Sequence, residues 1–199
     1  MSTYKFRKAE LKDADSILKI YEYYVKNTAI TFEWNLPSID EFKERMKKTF
    51  KKYPYIVVEE NNEIIGYAYT GPFVGREAYD WSVETTIYLK ENKTHKGLGK
   101  KLYQIIENIS KAQNIINLYA CIGYPEEDDE YLTKNSAQFH EHLGYKLIGK
   151  FEKCGYKFGK WYHMIWMGKV INEFKDKPCP VIPFPQLSSE KLLELGLEK

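Results

Sequence analysis

The sequence predicts a mixed α/β fold, one central sheet with helices on both faces, and three observations carry that reading. Short runs of alternating or β-branched residues interleave with longer amphipathic runs in the order β-α-α-β-β-β-α-β-α-β-β. Apolar residues make up 43% of the 199, enough to build the core of one domain. A glycine-bearing stretch, Thr94-His95-Lys96-Gly97-Leu98-Gly99-Lys100-Lys101-Leu102, leaves a β-like run and opens a helix-like one, as loops on α/β sheets do.

In chain order, Tyr4 to Lys8 alternates aromatic and basic residues as a first strand would. Asp13 or Asp15 can cap the run that follows to Lys26, where Ile17, Ile20, Tyr21 and Tyr24 recur at helical spacing. Asn27 to Trp34 is poor in helix formers and leads to Ser38 and Glu41, spaced as a capping box. The second helix should run to about Lys52, with Ile39, Phe42, Met46, Phe50 and Tyr53 on its buried side. Pro54 ends it. Tyr55 to Glu59 then pairs with Ile64 to Tyr69 through an Asn61-Asn62 turn.

Gly71-Pro72 should break that hairpin, Phe73 to Asp80 form a loop, and Trp81 to Leu89 form a strand that delivers the chain into the glycine stretch. Leu98, Leu102, Ile105, Ile106 and Ile109 mark the inner face of a third helix. Ile116 to Ile122 has strand length and ends at Gly123-Tyr124-Pro125; the acidic run from Glu126 to Glu130 reads as a solvated loop. Asn135 or Ser136 can cap a short helix that stops at Gly144. Tyr145 to Phe151 and Trp161 to Lys169 complete the sheet, with Gly155 and Gly159 in their connection. After Val170 come four prolines, and Ser188-Ser189-Glu190 opens a leucine-bearing helix. The chain thus divides into a domain over 1–170 and a proline-rich C-terminal arm over 171–199, packed on the body or on a second subunit.

A net charge of +2 is too small to indicate nucleic-acid or membrane binding through charge alone. No run of about 18 apolar residues exists, and Met1 to Lys5 lacks the apolar core of a signal peptide, so the reading is cytoplasmic. Cys121, Cys154 and Cys179 lack C-x-x-C spacing, which suggests reduced thiols and no metal site.

The glycine stretch has anion-binding chemistry. A helix start leaves N–H groups without partners, and its dipole adds partial positive charge. Glycines let the backbone approach a phosphate, and Lys93, Lys96, Lys100 and Lys101 crowd the same place. It is not a P-loop, because Lys101 follows Gly99-Lys100, and the third glycine of a dinucleotide fingerprint would fall on Leu102.

These residues resemble the GNAT superfamily of N-acetyltransferases, whose acyl-CoA loop, R/Q-x-x-G-x-G/A, follows a fourth strand and opens a helix as Thr94 to Gly99 does. Residues 4 to 170 follow that family's element order. Several phrases resemble its phosphinothricin acetyltransferase branch: Tyr67-Ala68-Tyr69-x-Gly71-Pro72, Ala78-Tyr79-Asp80-Trp81, Val83-Glu84-Thr85-Thr86-Ile87-Tyr88, His140-Glu141-x-Leu143-Gly144-Tyr145 and Gly155-Tyr156-Lys157-x-Gly159-x-Trp161. The resemblance implies a GNAT-type acyl-CoA N-acyltransferase fold, acetyl-CoA as cosubstrate, a small amino acid or analogue as acceptor, and a homodimer. Acetylation of a protein or peptide amine, and a CoA-binding module without turnover, are the competing readings. Thr94 departs from the family's arginine or glutamine, so His95, Lys96 or Lys100 would supplement the backbone of the loop.

Glu84 is a carboxylate inside an apolar strand, where desolvation pushes its pKa toward values useful for a general base. The resemblance assigns it that role and makes His140 its companion, a proton donor to the leaving thiolate or part of the proton path. It also assigns cofactor contacts to Ile87, Tyr88 and Leu89, whose backbone would face the oxyanion and the pantetheine arm. To these it adds Thr94, His95, Lys96, Gly97, Leu98, Gly99, Lys100 and Lys101 of the loop, and Asn135. Arg76 suits a substrate carboxylate and Phe32 the wall of the acceptor pocket. Cys121 reads as a buried, inert thiol, which favours direct attack by the amine over an acyl-cysteine route.

Overall fold

The computed structural model describes residues 4–93 and 97–198, and the three loop positions Thr94, His95 and Lys96 lie outside that set. The elements are β1 (Tyr4–Lys8), α1 (Ala14–Asn27), α2 (Ile39–Phe50), β2 (Tyr55–Glu60), β3 (Glu63–Pro72), β4 (Ser82–Leu89), α3 (Leu98–Ala112), β5 (Asn117–Tyr124), α4 (Asn135–His142), β6 (Lys146–Lys157), β7 (Lys160–Val170) and α5 (Ser189–Glu194). The strands described form one sheet in the order β1-β2-β3-β4-β5-β7-β6. Neighbours run antiparallel except β4 and β5, which are parallel.

Covered faces explain the composition of the inner strands. In β2, Tyr55 and Val57 join the cluster under α1 and α2, while Ile56 and Val58 join the cluster under α3. A strand buried on both sides reads as a continuous apolar run, which is how Tyr55-Ile56-Val57-Val58 is written. Ser38 caps α2 by accepting from the Glu41 N–H at 3.2 Å. That helix stops at Phe50, and Tyr53 lies beyond it, buried beside Val83 and Leu118 in a different cluster.

Several boundaries differ from the sequence expectation. Gly71 and Pro72 still pair with β4, and β3 ends at Pro72, opposite Val83. Strand β5 carries through Gly123 and Tyr124, both paired with β7. The β6–β7 connection shrinks to Phe158-Gly159, both at positive φ (50° and 75°), with Lys157 paired to Lys160 on either side. That is the two-residue turn whose twist suits an antiparallel pair, and Asn61-Asn62 repeats it at φ 52° and 65°. Gly155 therefore stands inside β6, after a register shift, where a Cβ would meet the Phe32 ring at 2.3 Å. Helix α4 is preceded by Lys134, with no side-chain cap from Asn135 or Ser136.

The acidic run is only partly a solvated loop. Asp129 Oδ1 accepts from the N–H groups of Tyr131 and Leu132 at 2.8 and 2.9 Å, and its Oδ2 accepts from the Tyr162 hydroxyl at 2.9 Å. The arm packs on the body: Phe184 and Leu197 are buried against Phe6 and the apolar face of α3, and the Glu198 N–H donates to the Phe6 carbonyl at 2.7 Å. Among the described residues no helix is long and apolar enough to cross a membrane.

Candidate active site

Strands β4 and β5 are paired only from Ser82–Asn117 to Glu84–Tyr119. Beyond Glu84, β4 continues alongside β3 as far as Leu89, while β5 stays paired with β7 as far as Tyr124. The strands part there, and a cleft of about 280 Å³ opens between Thr85–Tyr88 on one side and Ala120–Gly123 on the other. Helix α2 supplies Phe42, Arg45 and Met46 to its wall, and α4 supplies Ser136 and His140. A loss of strand pairing thus creates both a concavity and a stretch of β4 backbone with no strand partner on the β5 side among the described residues.

Glu84 stands at that fork, half-buried, and burial raises its pKa above the ordinary carboxylate value. Across the cleft, His140 is 3% exposed. Its Nδ1 lies 2.7 Å from the Ser136 carbonyl and its Nε2 lies 2.7 Å from the Tyr103 hydroxyl. A carbonyl only accepts, so Nδ1 carries the proton and the Tyr103 O–H donates to Nε2. Burial lowers the imidazole pKa to about 4, with the Ser136 carbonyl opposing. At neutral pH His140 is therefore an uncharged acceptor. Tyr103 is buried, and its hydroxyl pKa is pushed up first by burial and also by the charge of Glu84.

The described part of the glycine loop begins at Gly97, which takes a left-handed φ of 75° just before α3. That conformation favours glycine. Leu98 turns into the core, and Lys100 and Lys101 are exposed at the helix start. A Cβ on Gly99 would press on the Phe139 ring at 3.2 Å, so Gly99 lets α3 approach α4 closely. Of the strand residues assigned to the cofactor, Ile87 and Tyr88 line the cleft. Leu89 does not, and its carbonyl accepts from the Tyr24 hydroxyl at 2.6 Å.

Other candidates stand outside the cleft lining. Arg76 is exposed on the turn before β4, and Asn135 is exposed at the first position of α4. Phe32 packs beside Ala29, Leu132 and Tyr162 and covers Gly155. Cys121 lines the cleft and is exposed, not buried as its apolar run suggests, because its side chain faces the opening between the strands; the partial loss of solvent there and then the charge of Glu84 push its thiol up to about 12. A thiol so protonated is a poor nucleophile.

Sequence reasoning passed over Tyr103, Glu33, Arg45 and Lys157. Tyr103 belongs to the apolar stripe of α3 and carries no mark that separates it from core. Lys157 was visible in the Gly155-Tyr156-Lys157 phrase; it is 3% exposed, and its Nζ donates to the Thr31 carbonyl at 2.8 Å.

The sheet's parallel pair splays beside a glycine-started helix, with a carboxylate of raised pKa at the fork. The pattern of the acetyltransferase (GNAT) domain matches residues 6–166, and the chain belongs to this family. It is 30% identical over 92% of its length to the phosphinothricin N-acetyltransferase of Streptomyces viridochromogenes, 96% of which is covered. It is 28% identical over 86% of its length to the L-methionine sulfoximine/L-methionine sulfone acetyltransferase of Pseudomonas aeruginosa, with 97% of that protein covered. Among solved structures, the phosphinothricin acetyltransferase of Sinorhizobium meliloti in complex with acetyl-CoA superposes with a TM-score of 0.80 at 29% identity, over 92% of this chain and 98% of that one.

Proposed function

We propose that this chain acetylates the amine of a small amino acid or analogue, of the phosphinothricin or methionine sulfoximine kind, with acetyl-CoA as cosubstrate and Glu84 as general base. The observation that carries the reading is Glu84 itself, a carboxylate of raised pKa at the point where β4 and β5 separate. The described residues fit the cosubstrate. The unpaired side of β4 offers backbone groups to an extended arm, and Gly97 and Gly99 open a helix with exposed Lys100 and Lys101 beside it. Thr94, His95 and Lys96 remain proposed members of that grip by resemblance.

Acetyl-CoA supplies an activated acetyl thioester. Glu84 accepts a proton from the incoming ammonium, directly or through one water, and so frees the nitrogen lone pair that attacks the acetyl carbon. The Ile87 N–H, which the β3 pairing leaves on the unpaired side of β4, is a donor available to the acetyl oxygen as it gains charge. The carbon–sulfur bond then breaks, the attacking nitrogen sheds its second proton, and the leaving thiolate takes up that proton, the first remaining on Glu84. His140 is neutral, with Nε2 engaged by Tyr103, so it suits a proton path in which Tyr103 gives its proton onward and recovers one through the cleft. Arg76 and Phe32 remain candidates for the acceptor, as Asn135 does for the cosubstrate.

The chain is also proposed to act as a homodimer. Leu147, Ile148, Phe151 and Trp161 are each more than half exposed on the β6–β7 hairpin (62, 59, 53 and 60%), and β6 is an edge strand of the sheet. An apolar edge of that kind is usually covered by another chain.

The experiment is a thermal-shift titration with acetyl-CoA followed by thiol release with phosphinothricin and other single amino-acid analogues. A raised Tm and amine-dependent thiol release support the reading. A raised Tm with no thiol release from any amine would make the chain a CoA-binding module.

A further inference from the structure

Glu33 and Arg45 line the same cleft as Glu84 and His140, yet neither takes part in the proposed proton transfers. Arg45 projects from α2; Glu33 lies on the segment between α1 and α2. One terminal nitrogen of Arg45 donates to Glu33 Oε1 at 2.5 Å and the other to Glu41 Oε1 at 2.6 Å. A guanidinium has five N–H donors, so these two single-point contacts leave part of the fork unused. The second oxygen of Glu33, Oε2, is shielded from solvent and accepts no hydrogen bond from the described residues.

A shielded oxygen without a donor is unfavourable, and the segment that carries it is tied down on several sides. The Thr31 carbonyl accepts from the buried Lys157 Nζ at 2.8 Å, and the Thr31 hydroxyl meets the Tyr21 hydroxyl at 2.8 Å. The Ala29 N–H donates to the Tyr131 carbonyl at 2.9 Å. The terminal torsion of a glutamate is soft, so a turn of the carboxylate can present Oε2 to the cleft without moving this backbone. Glu33, Arg45 and Glu84 all act on the charge of the Tyr69 hydroxyl, which places the three in one electrostatic neighbourhood.

We propose that Glu33 and Arg45 select the group that the acceptor carries away from its amine, and that they favour one offering an N–H donor beside an oxygen acceptor. The donor meets Glu33 Oε2 and the oxygen meets the unused N–H groups of Arg45. This rests on the reading of the chain as an amino-acid N-acetyltransferase. A sulfoximine carries S=N–H and S=O on one sulfur and satisfies both residues. A sulfone of the same shape carries two oxygens, and one of them would face Glu33 acceptor against acceptor.

The test is kcat/KM for L-methionine sulfoximine and L-methionine sulfone, by thiol release, in the wild type, Glu33→Gln and Arg45→Lys, with the acetyl-CoA thermal shift as a check of folding. The wild type should prefer the sulfoximine by about tenfold or more, the weight of one hydrogen bond, and through KM. Glu33→Gln, whose amide can donate to a sulfone oxygen, should bring the ratio to about one or reverse it. Arg45→Lys should raise KM for both analogues alike, since both present an S=O. An unchanged ratio in Glu33→Gln, equal use of both analogues by the wild type, or unchanged KM values in Arg45→Lys would overturn the inference while leaving the acetyltransferase reading in place. No thiol release from either analogue in the wild type would overturn the inference, and the acetyltransferase reading as well if phosphinothricin and the other amines also release none.

Discussion

Burial moves Glu84 and His140 in opposite directions, and stability should record both. The folded pKa of Glu84 is raised, so its stabilising contribution is present below the ordinary carboxylate value and is lost as pH rises through the raised one. Glu84→Gln is therefore expected to melt at a higher temperature than the wild type at pH 7 while losing turnover. A lower Tm at that pH would contradict the assigned burial. His140 is lowered to about 4 from 6.5, so its contribution is present above 6.5 and drains away as pH falls through about 4. The full swing is on the order of 3 kcal/mol. His140→Gln should flatten the loss of stability between those pH values in urea titrations, and an equally steep loss would assign it to other groups. Glu84 is legible in sequence because a carboxylate inside an apolar strand breaks the pattern. The neutral state of His140 is not, because it depends on a carbonyl four residues back and on a hydroxyl from another helix.

At the scale of elements, the β4–β5 fork does most to shape the site, and no single strand predicts it. Each strand was recognisable from its own residues, but the register that stops at Glu84–Tyr119 arises only when the strands meet. The β6–β7 hairpin is longer than its own residues predict, for a related reason. Glycines at 155 and 159 suggested a loop, whereas one serves a tight turn and the other makes room for the Phe32 ring. Gly155→Ala should thus force Phe32 aside, costing about 1–3 kcal/mol by urea unfolding. It should also raise KM for the acceptor, since Phe32 adjoins Glu33 in the segment that walls the cleft. Unchanged stability and KM would show that Phe32 moves without consequence.

Over the whole molecule, the described 171–198 segment packs on the body, with Phe184 filling the cluster under α3 and Glu198 meeting the β1 edge at a single backbone bridge to Arg7. The proline-rich texture marked it as an arm, but not which surface it would cover, because packing partners far apart in sequence leave no periodic trace. The opposite edge, β6, keeps its apolar side chains exposed, so light scattering should report twice the 23.6 kDa of the chain, and a monomeric mass would remove the dimer from the proposal. The central claim, that the forked sheet supports acetyl transfer to an amino acid with Glu84 as base, is tested most directly by the pH dependence of thiol release from acetyl-CoA with L-methionine sulfoximine, in the wild type and Glu84→Gln. The wild-type rate should rise with pH through a single ionisation above the ordinary carboxylate value. Glu84→Gln should lose about 10²–10⁴-fold at neutral pH while its acetyl-CoA thermal shift is kept. A Glu84→Gln protein with the wild-type rate and profile would contradict it.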